Sequence, residues 1–206
     1  MVNRITIGVI GIQGAVSEHI TMMHQVLNET NTDGDVIKVN DIKQMDKINA
    51  LIIPGGESST ISQILYKTGL YDAISKKINE ERIPIMGTCA GCVILGKGIK
   101  NNEKDIKQLN AIDIEIKRNA FGRQRDSFEK SIDIKSFSEP YNAVFIRAPV
   151  IEKVMNNCEI LAEFNKKIVM VKQNNMLAMS FHPELTDDLR IHKLFLEEIK
   201  RNKMLN

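Results

Sequence analysis

The first 95 residues alternate short apolar runs with stretches whose apolar residues recur at helical spacing, and this rhythm limits the fold more than any other feature of the chain. Ile5–Ile10 reads as a buried strand, and residues 15–27 place Val16, Ile20, Met23 and Leu27 on one helical face. Residues 35–39 and 50–53 are the next strands, the second stopped by Pro54-Gly55-Gly56. A helical stretch covers 59–80 with a break near Gly69, residues 84–86 form a fourth strand, and 90–95 open another helix. Strands that alternate with helices in this way pair in parallel and are covered on both faces.

The second half changes period. Residues 112–116 and 131–134 alternate polar with apolar, which suits strands with one wet face. Residues 141–146, 160–164 and 168–172 are further strands, the last two joined by a tight turn at 165–167. Residues 176–181 return to a buried strand, and 189–200 close the chain as an amphipathic helix. The expected fold is a single α/β domain over residues 1–206. Its central sheet is flavodoxin-like and mostly parallel, with helices on both faces and a small antiparallel patch.

Composition removes several classes of function. A chain of 206 residues that is 43% hydrophobic and 26% charged suits one folded core rather than disorder. A net charge of +2 offers no footing for nucleic acid or an anionic membrane surface. No apolar stretch approaches the roughly 20 residues that a membrane helix needs. The first strand follows without a charged leader, so no targeting segment is expected. Three cysteines are too few for a disulfide framework, which makes a reducing cytoplasm the expected setting.

The chemistry concentrates in Gly87-Thr88-Cys89-Ala90-Gly91-Cys92. Three readings of it compete. A C-x-x-C at the mouth of a helix is a redox pair in thioredoxin-like proteins, and the strand-then-helix context allows this. A zinc site needs a second ligand pair, and only Cys158 and four scattered histidines remain. A nucleophile elbow, G-x-C-x-G between strand and helix, accounts for the glycines as well, because the strained turn needs small neighbours two residues away. It also sets the sulfur at a helix N-terminus, where thiolate is favoured. Cys92 is then a small core residue.

A nucleophilic cysteine needs a base, and the base an orienting group. Ser180-Phe181-His182-Pro183-Glu184 supplies both at the end of a strand, where residues two apart point the same way. His19, His24 and His192 lie on helical patterns and read as solvated or interface residues. Pro54-Gly55-Gly56-Glu57-Ser58 lacks the G-K-[ST] ending of a phosphate loop, and Gly8, Gly11 and Gly14 lack dinucleotide spacing. Bare backbone N–H groups at Gly55 and Gly56 can instead join that of Ala90 as an oxyanion hole, with Gln13 in support.

Taken together, Gly8 to Ala15, PGGESS at 54–59, GTCAG at 87–91, RNAFGRQ at 118–124, FIRAP at 145–149 and SFHPEL at 180–185 resemble class I glutamine amidotransferases. Within that class they resemble the glutaminase subunits of pyridoxal phosphate synthase. Many class members carry a glutamine where this chain has Val93; the vitamin B6 branch lacks it. The resemblance implies hydrolysis of L-glutamine through a cysteinyl thioester, with Cys89, His182 and Glu184 as the triad. It implies substrate contacts from Gly55, Gly56, Glu57, Arg118, Ile146 and Arg147, and no cofactor. It further implies a synthase subunit as partner, receiving ammonia to make pyridoxal phosphate from a pentose phosphate and a triose phosphate. A thiol redox or sensing protein using Cys89 and Cys92 stands as the alternative, beside a non-catalytic scaffold.

Overall fold

The computed structural model describes residues 4–100, 105–118 and 127–205. Along the chain run β1 (Ile5–Ile10), α1 (Val16–Glu29), β2 (Gly34–Val39), α2 (Ile42–Met45), β3 (Ala50–Ile53), α3 (Ser58–Lys67) and α4 (Leu70–Lys76). A π-helical turn (Lys77–Glu81) leads to β4 (Ile85–Thr88), α5 (Ala90–Leu95), β5 (Gly98–Ile99), β6 (Ile114–Lys117), β7 (Ser127–Ile132) and β8 (Tyr141–Ile146). Then come β9 (Val150–Val154), β10 (Glu159–Phe164), β11 (Lys167–Gln173), β12 (Met176–Met179), a 3-10 turn (Pro183–Leu185) and α6 (Arg190–Leu205).

The alternation of the first half produces its expected result. Strands β2-β1-β3-β4-β12 lie side by side, each parallel to its neighbour, in the flavodoxin-like order. Successive side chains of a strand face opposite ways, so each central strand feeds two cores. Ile7, Val9, Ala50, Ile52, Met86, Leu177 and Met179 pack with α1 and α6. Ile10, Leu51, Ile53, Ile85 and Ala178 pack with α3, α4 and α5 on the other face.

The antiparallel part follows in the second half of the chain. β11, β9 and β10 extend the main sheet antiparallel beyond β12, with β6 antiparallel to β9. β7 and β8 form a separate ribbon. Phe128 stacks on Phe145 with centroids 4.8 Å apart, and Phe145 meets Phe181 edge-on at 5.7 Å. This aromatic packing seats the ribbon on the α1–α6 core and brings the end of β8 over the C-terminal end of β12.

Several boundaries differ from the sequence pattern. α2, β5 and β9 carry too few residues or too mixed a pattern to stand out. The strand expected at 112–116 begins only at Ile114. Asp113 is buried rather than wet: Lys97, Asn156 and Gln173 all donate to its carboxylate and hold its pKa down at about 2. The strand expected at 131–134 ends at Ile132, and the one expected at 176–181 ends at Met179. In α1 the buried stripe is His19, Met22, Met23, Val26 and Leu27, while Val16 and Ile20 are only partly covered.

A close backbone-to-backbone contact joins α5 to the sheet. A Cβ on Gly91 would overlap the carbonyl oxygen of Ile53 in β3, and one on Gly87 would lie 2.7 Å from the Gly91 carbonyl carbon. Backbone cannot yield as a side chain does, so Gly91→Ala is expected to destabilise the protein by about 1–3 kcal/mol. It should also displace Cys89, so that its reactivity falls further than stability. Thermal unfolding, compared with the reactivity of the Cys89 thiol, checks this; an alanine variant as stable and as reactive as wild type contradicts it.

Candidate active site

β4 ends at Thr88 and α5 starts at Ala90, leaving Cys89 alone at the corner with φ 50° and ψ −103°. A residue with a Cβ holds such a conformation only when its surroundings impose it, at a strain of about 1–3 kcal/mol. Here the Cys89 N–H donates to the Met179 carbonyl at 2.8 Å, and the glycine contacts fix the helix beyond. The sulfur lies 3.8 Å from the carbonyl oxygen of Ile146 at the end of β8.

His182 arrives from the neighbouring strand. After β12 the chain stays pinned, with Ser180 N–H on the Val169 carbonyl and His182 N–H on the Val144 carbonyl, both at 2.8 Å. Pro183, with its fixed φ, then opens the 3-10 turn. Glu184 therefore meets His182 through a turn, not along an extended strand as the spacing suggested. The Nδ1–Oε1 distance is 2.7 Å. With Nδ1 taken, Nε2 is the nitrogen left to share a hydrogen bond with Cys89.

Electrostatics favour the charged pair. Burial opposes charge on His182, but its hydrogen bonds to Cys89 and Glu184 outweigh burial and push its pKa up to about 10. Burial also opposes the Glu184 charge, yet His19 and His182 hold its carboxyl below the usual range. An imidazolium beside the sulfur is the partner that a thiolate nucleophile needs.

A pocket of about 240 Å3 opens over the sulfur. Gly56, Glu57, Ala90, Arg118, Ile146 and Arg147 line it together with Cys89 and His182. Gly55 presses directly on His182 and Cys89: a Cβ there would overlap the His182 ring and come within 3.3 Å of the Cys89 Cβ. Gln13 and Glu184 stand outside the lining. The Gln13 Oε1 accepts the Glu57 N–H at 3.0 Å, which ties the loop after β1 to the loop after β3. Arg147, like Cys89, holds a positive φ, here 43°. Arg118 donates to Glu57 Oε1 at 3.2 Å. Residues 119–124 of the motif that begins at Arg118 lie outside the described residues.

Glu57 caps α3, its Oε2 accepting from the Thr60 N–H at 2.8 Å and from the Ser59 and Thr60 hydroxyls. Burial opposes its charge, but these hydrogen bonds hold its pKa at about 2. Cys92 is wholly buried in α5, and burial pushes its thiol far above the ordinary range. A group so placed makes a poor redox partner, and Cys89, Cys92 and Cys158 are all free thiols.

Two histidines read as solvated or interface residues are neither. His19 and His192 are fully buried, and only His24 is exposed. His19 Nε2 lies 3.3 Å from Glu184 Oε2 and 3.3 Å from the Thr88 hydroxyl, and its Nδ1 lies 3.1 Å from His192 Nε2. The sequence held a signal for both. His19 falls four residues before Met23, and His192 three before Phe195, each on the inward stripe of its helix.

Thiol hydrolases on doubly wound α/β sheets are the class in which a strained corner cysteine and a histidine–carboxylate pair occur together. Similarity to other proteins narrows the class. The chain belongs to the SNO glutamine amidotransferase family, whose sequence model matches residues 9–201. The protein named pyridoxal 5'-phosphate synthase subunit PdxT in Thermococcus kodakarensis is 44% identical over 195 residues, 94% of this chain and 98% of its own length. Its namesake in Shouchella clausii is 42% identical over 199 residues, 97% of each chain. A solved structure described as a glutamine amidotransferase superposes with a TM-score of 0.83 at 36% identity, covering 94% of this chain and 98% of its own. Membership of this family leaves the redox reading without support.

The carboxylate's effect on the imidazole is directly measurable. Removing the Glu184 charge by Glu184→Gln takes away one of the two partners that raise the His182 pKa, so its titration midpoint should move down from about 10. Folding stability follows the same sign. The contribution of a histidine whose pKa is raised is complete below its unfolded value near 6.5 and is lost as pH rises through about 10. In Glu184→Gln this contribution should therefore be smaller, and its loss should be complete at a lower pH. Imidazole NMR titration of both proteins checks the shift, and an unchanged midpoint contradicts it.

Proposed function

We propose that this chain is the glutaminase subunit of a pyridoxal 5'-phosphate synthase. It hydrolyses L-glutamine to L-glutamate and ammonia and passes the ammonia to a synthase subunit that makes pyridoxal phosphate from a pentose phosphate and a triose phosphate. The observation that carries this reading is the meeting of Cys89, His182 and Glu184 beneath one pocket in a chain that matches PdxT subunits over nearly its whole length. Residues 1–206 act as one domain, and the free thiols suit a cytoplasmic setting.

The Cys89 sulfur attacks the side-chain amide carbon of glutamine, and the carbonyl oxygen becomes an oxyanion facing backbone N–H groups of Gly55, Gly56 and Ala90. The C–N bond then breaks as the His182 imidazolium gives its Nε2 proton to the departing ammonia. A glutamyl thioester remains on Cys89. Water attacks it while His182 takes a proton, the C–S bond breaks, and glutamate leaves with the thiolate and imidazolium restored. Glu184 holds the imidazole in the orientation that both proton transfers need. At the other end of the substrate, Arg118 and Arg147 offer cations to the α-carboxylate, and Glu57, ionised, accepts from the α-ammonium.

A diazo-ketone analogue of glutamine should alkylate Cys89, and mass spectrometry locates the adduct; modification of Cys92 or Cys158 instead contradicts the assignment. Cys89→Ala should lose all detectable turnover, whereas Cys92→Ala keeps most of it. Hydrolysis should rise on adding the synthase subunit. Gln13→Ala, which frees the Glu57 N–H, should blunt that rise by on the order of a hundredfold if the loop carries an oxyanion donor. Full activity of the isolated chain, indifferent to partner and to Gln13, counts against this switch.

A further inference from the structure

Behind the triad lies a buried chain of polar groups that the reaction steps above do not use. Glu184 has no exposed side-chain surface, and only its Oε1 is served, by His182. Oε2 lacks a well-aligned donor, although His19 Nε2 stands 3.3 Å away. A dry carboxylate with one oxygen unserved is costly, so the group that faces Oε2 matters.

The protons can be placed by elimination. Burial outweighs the attraction of Glu184 and keeps the pKa of His19 low, and burial drives that of His192 well below the ordinary value. Each ring therefore carries one proton, and the facing nitrogens, His19 Nδ1 and His192 Nε2, share one between them at 3.1 Å. If His19 held its proton on Nδ1, its bare Nε2 would point a lone pair at the carboxylate. His192 would then carry an Nδ1–H, buried with no acceptor, because that atom has no partner. Both penalties vanish in the other arrangement. His192 donates from Nε2 to His19 Nδ1, His19 bears its proton on Nε2, bonded to the Thr88 hydroxyl at 3.3 Å with Oε2 at the same distance, and His192 Nδ1 is only a bare nitrogen.

We propose that His19 is a positioning residue of the site, its Nε2–H holding the second oxygen of Glu184 while His192 fixes the tautomer that makes this possible. The proposal rests on the reading of Cys89, His182 and Glu184 as the triad. α1 and α6 thereby reach the reacting groups without touching substrate: His19 locks the carboxylate from behind, so that Oε1 stays on His182 Nδ1 while that ring loses and regains its proton. The 3.3 Å separation leaves room for the contact to shorten when substrate fills the pocket.

The test uses the full chain with its synthase subunit, in wild type, Cys89→Ala, His19→Leu and His19→Gln. Leucine fills the space without a donor; glutamine returns an N–H close to the place of Nε2. His19→Leu should lower kcat by on the order of 10- to 100-fold with little change in KM, and His19→Gln should recover most of that loss even if it is the less stable variant. A role in packing alone predicts the reverse order, leucine performing at least as well as glutamine. If Cys89→Ala turns glutamine over, the triad reading falls and this one with it. If Cys89→Ala is dead while His19→Leu keeps the wild-type kcat, only the assignment of His19 falls. Should His19→Leu fail to fold, long-range 15N spectra of the wild type decide: protonated Nε2 and bare Nδ1 on His19 support the proposal, and the opposite tautomer overturns it.

Discussion

The approach of the α5 backbone to β3 is the contact on which the site depends. Gly91 lies so close to the Ile53 carbonyl that no Cβ fits, and Gly87 is almost as close to Gly91. That proximity fixes where the helix begins, and so forces the single residue between strand and helix into its strained, positive-φ conformation. The Cys89 N–H is then directed at Met179, which couples the corner to β12, the strand that delivers His182. One steric constraint thus places Cys89 and His182 on the ends of adjacent strands, lining one pocket. The strain at Cys89 is local, whereas the packing that opposes it is spread over two cores.

Charge in this site is held by partners rather than by water. His182 is largely buried and still favours its protonated form, because a carboxylate on one side and a thiol on the other return more than burial removes. Glu184 in turn stays ionised between two imidazoles. Such a network is satisfied only when each member has its neighbour, and loss of one leaves a buried group uncompensated. The carboxylate and its surroundings are therefore as much a condition for the imidazolium as the sulfur is.

A second set of contacts governs the mouth of the pocket. Glu57 caps α3, pairs with Arg118, and gives its backbone N–H to Gln13 from the loop after β1. A side chain on the first loop consequently controls a peptide of the loop that faces the sulfur. The position of that peptide therefore depends on the loop after β1 as well as on its own.

What the sequence determined by itself was everything set by local chemistry. Buried strands follow from apolar runs, the elbow from glycines two residues either side of a cysteine, and the loop over the sulfur from Pro54-Gly55-Gly56. Even the break between α3 and α4 was legible, because Gly69 takes a positive φ of 74°. Tertiary structure alone decided the rest. The turn that swings Glu184 under His182 replaced an extended pairing, and β9 and β5, too mixed or too short to read, joined legible strands into the far edge of the main sheet. Helical spacing could place His19 and His192 on inward faces, but not say what they would meet. Their partners lie 165 and 173 residues from His19 along the chain, at Glu184 and His192. Only the docking of α1 and α6 on the same face of the sheet brings those groups together.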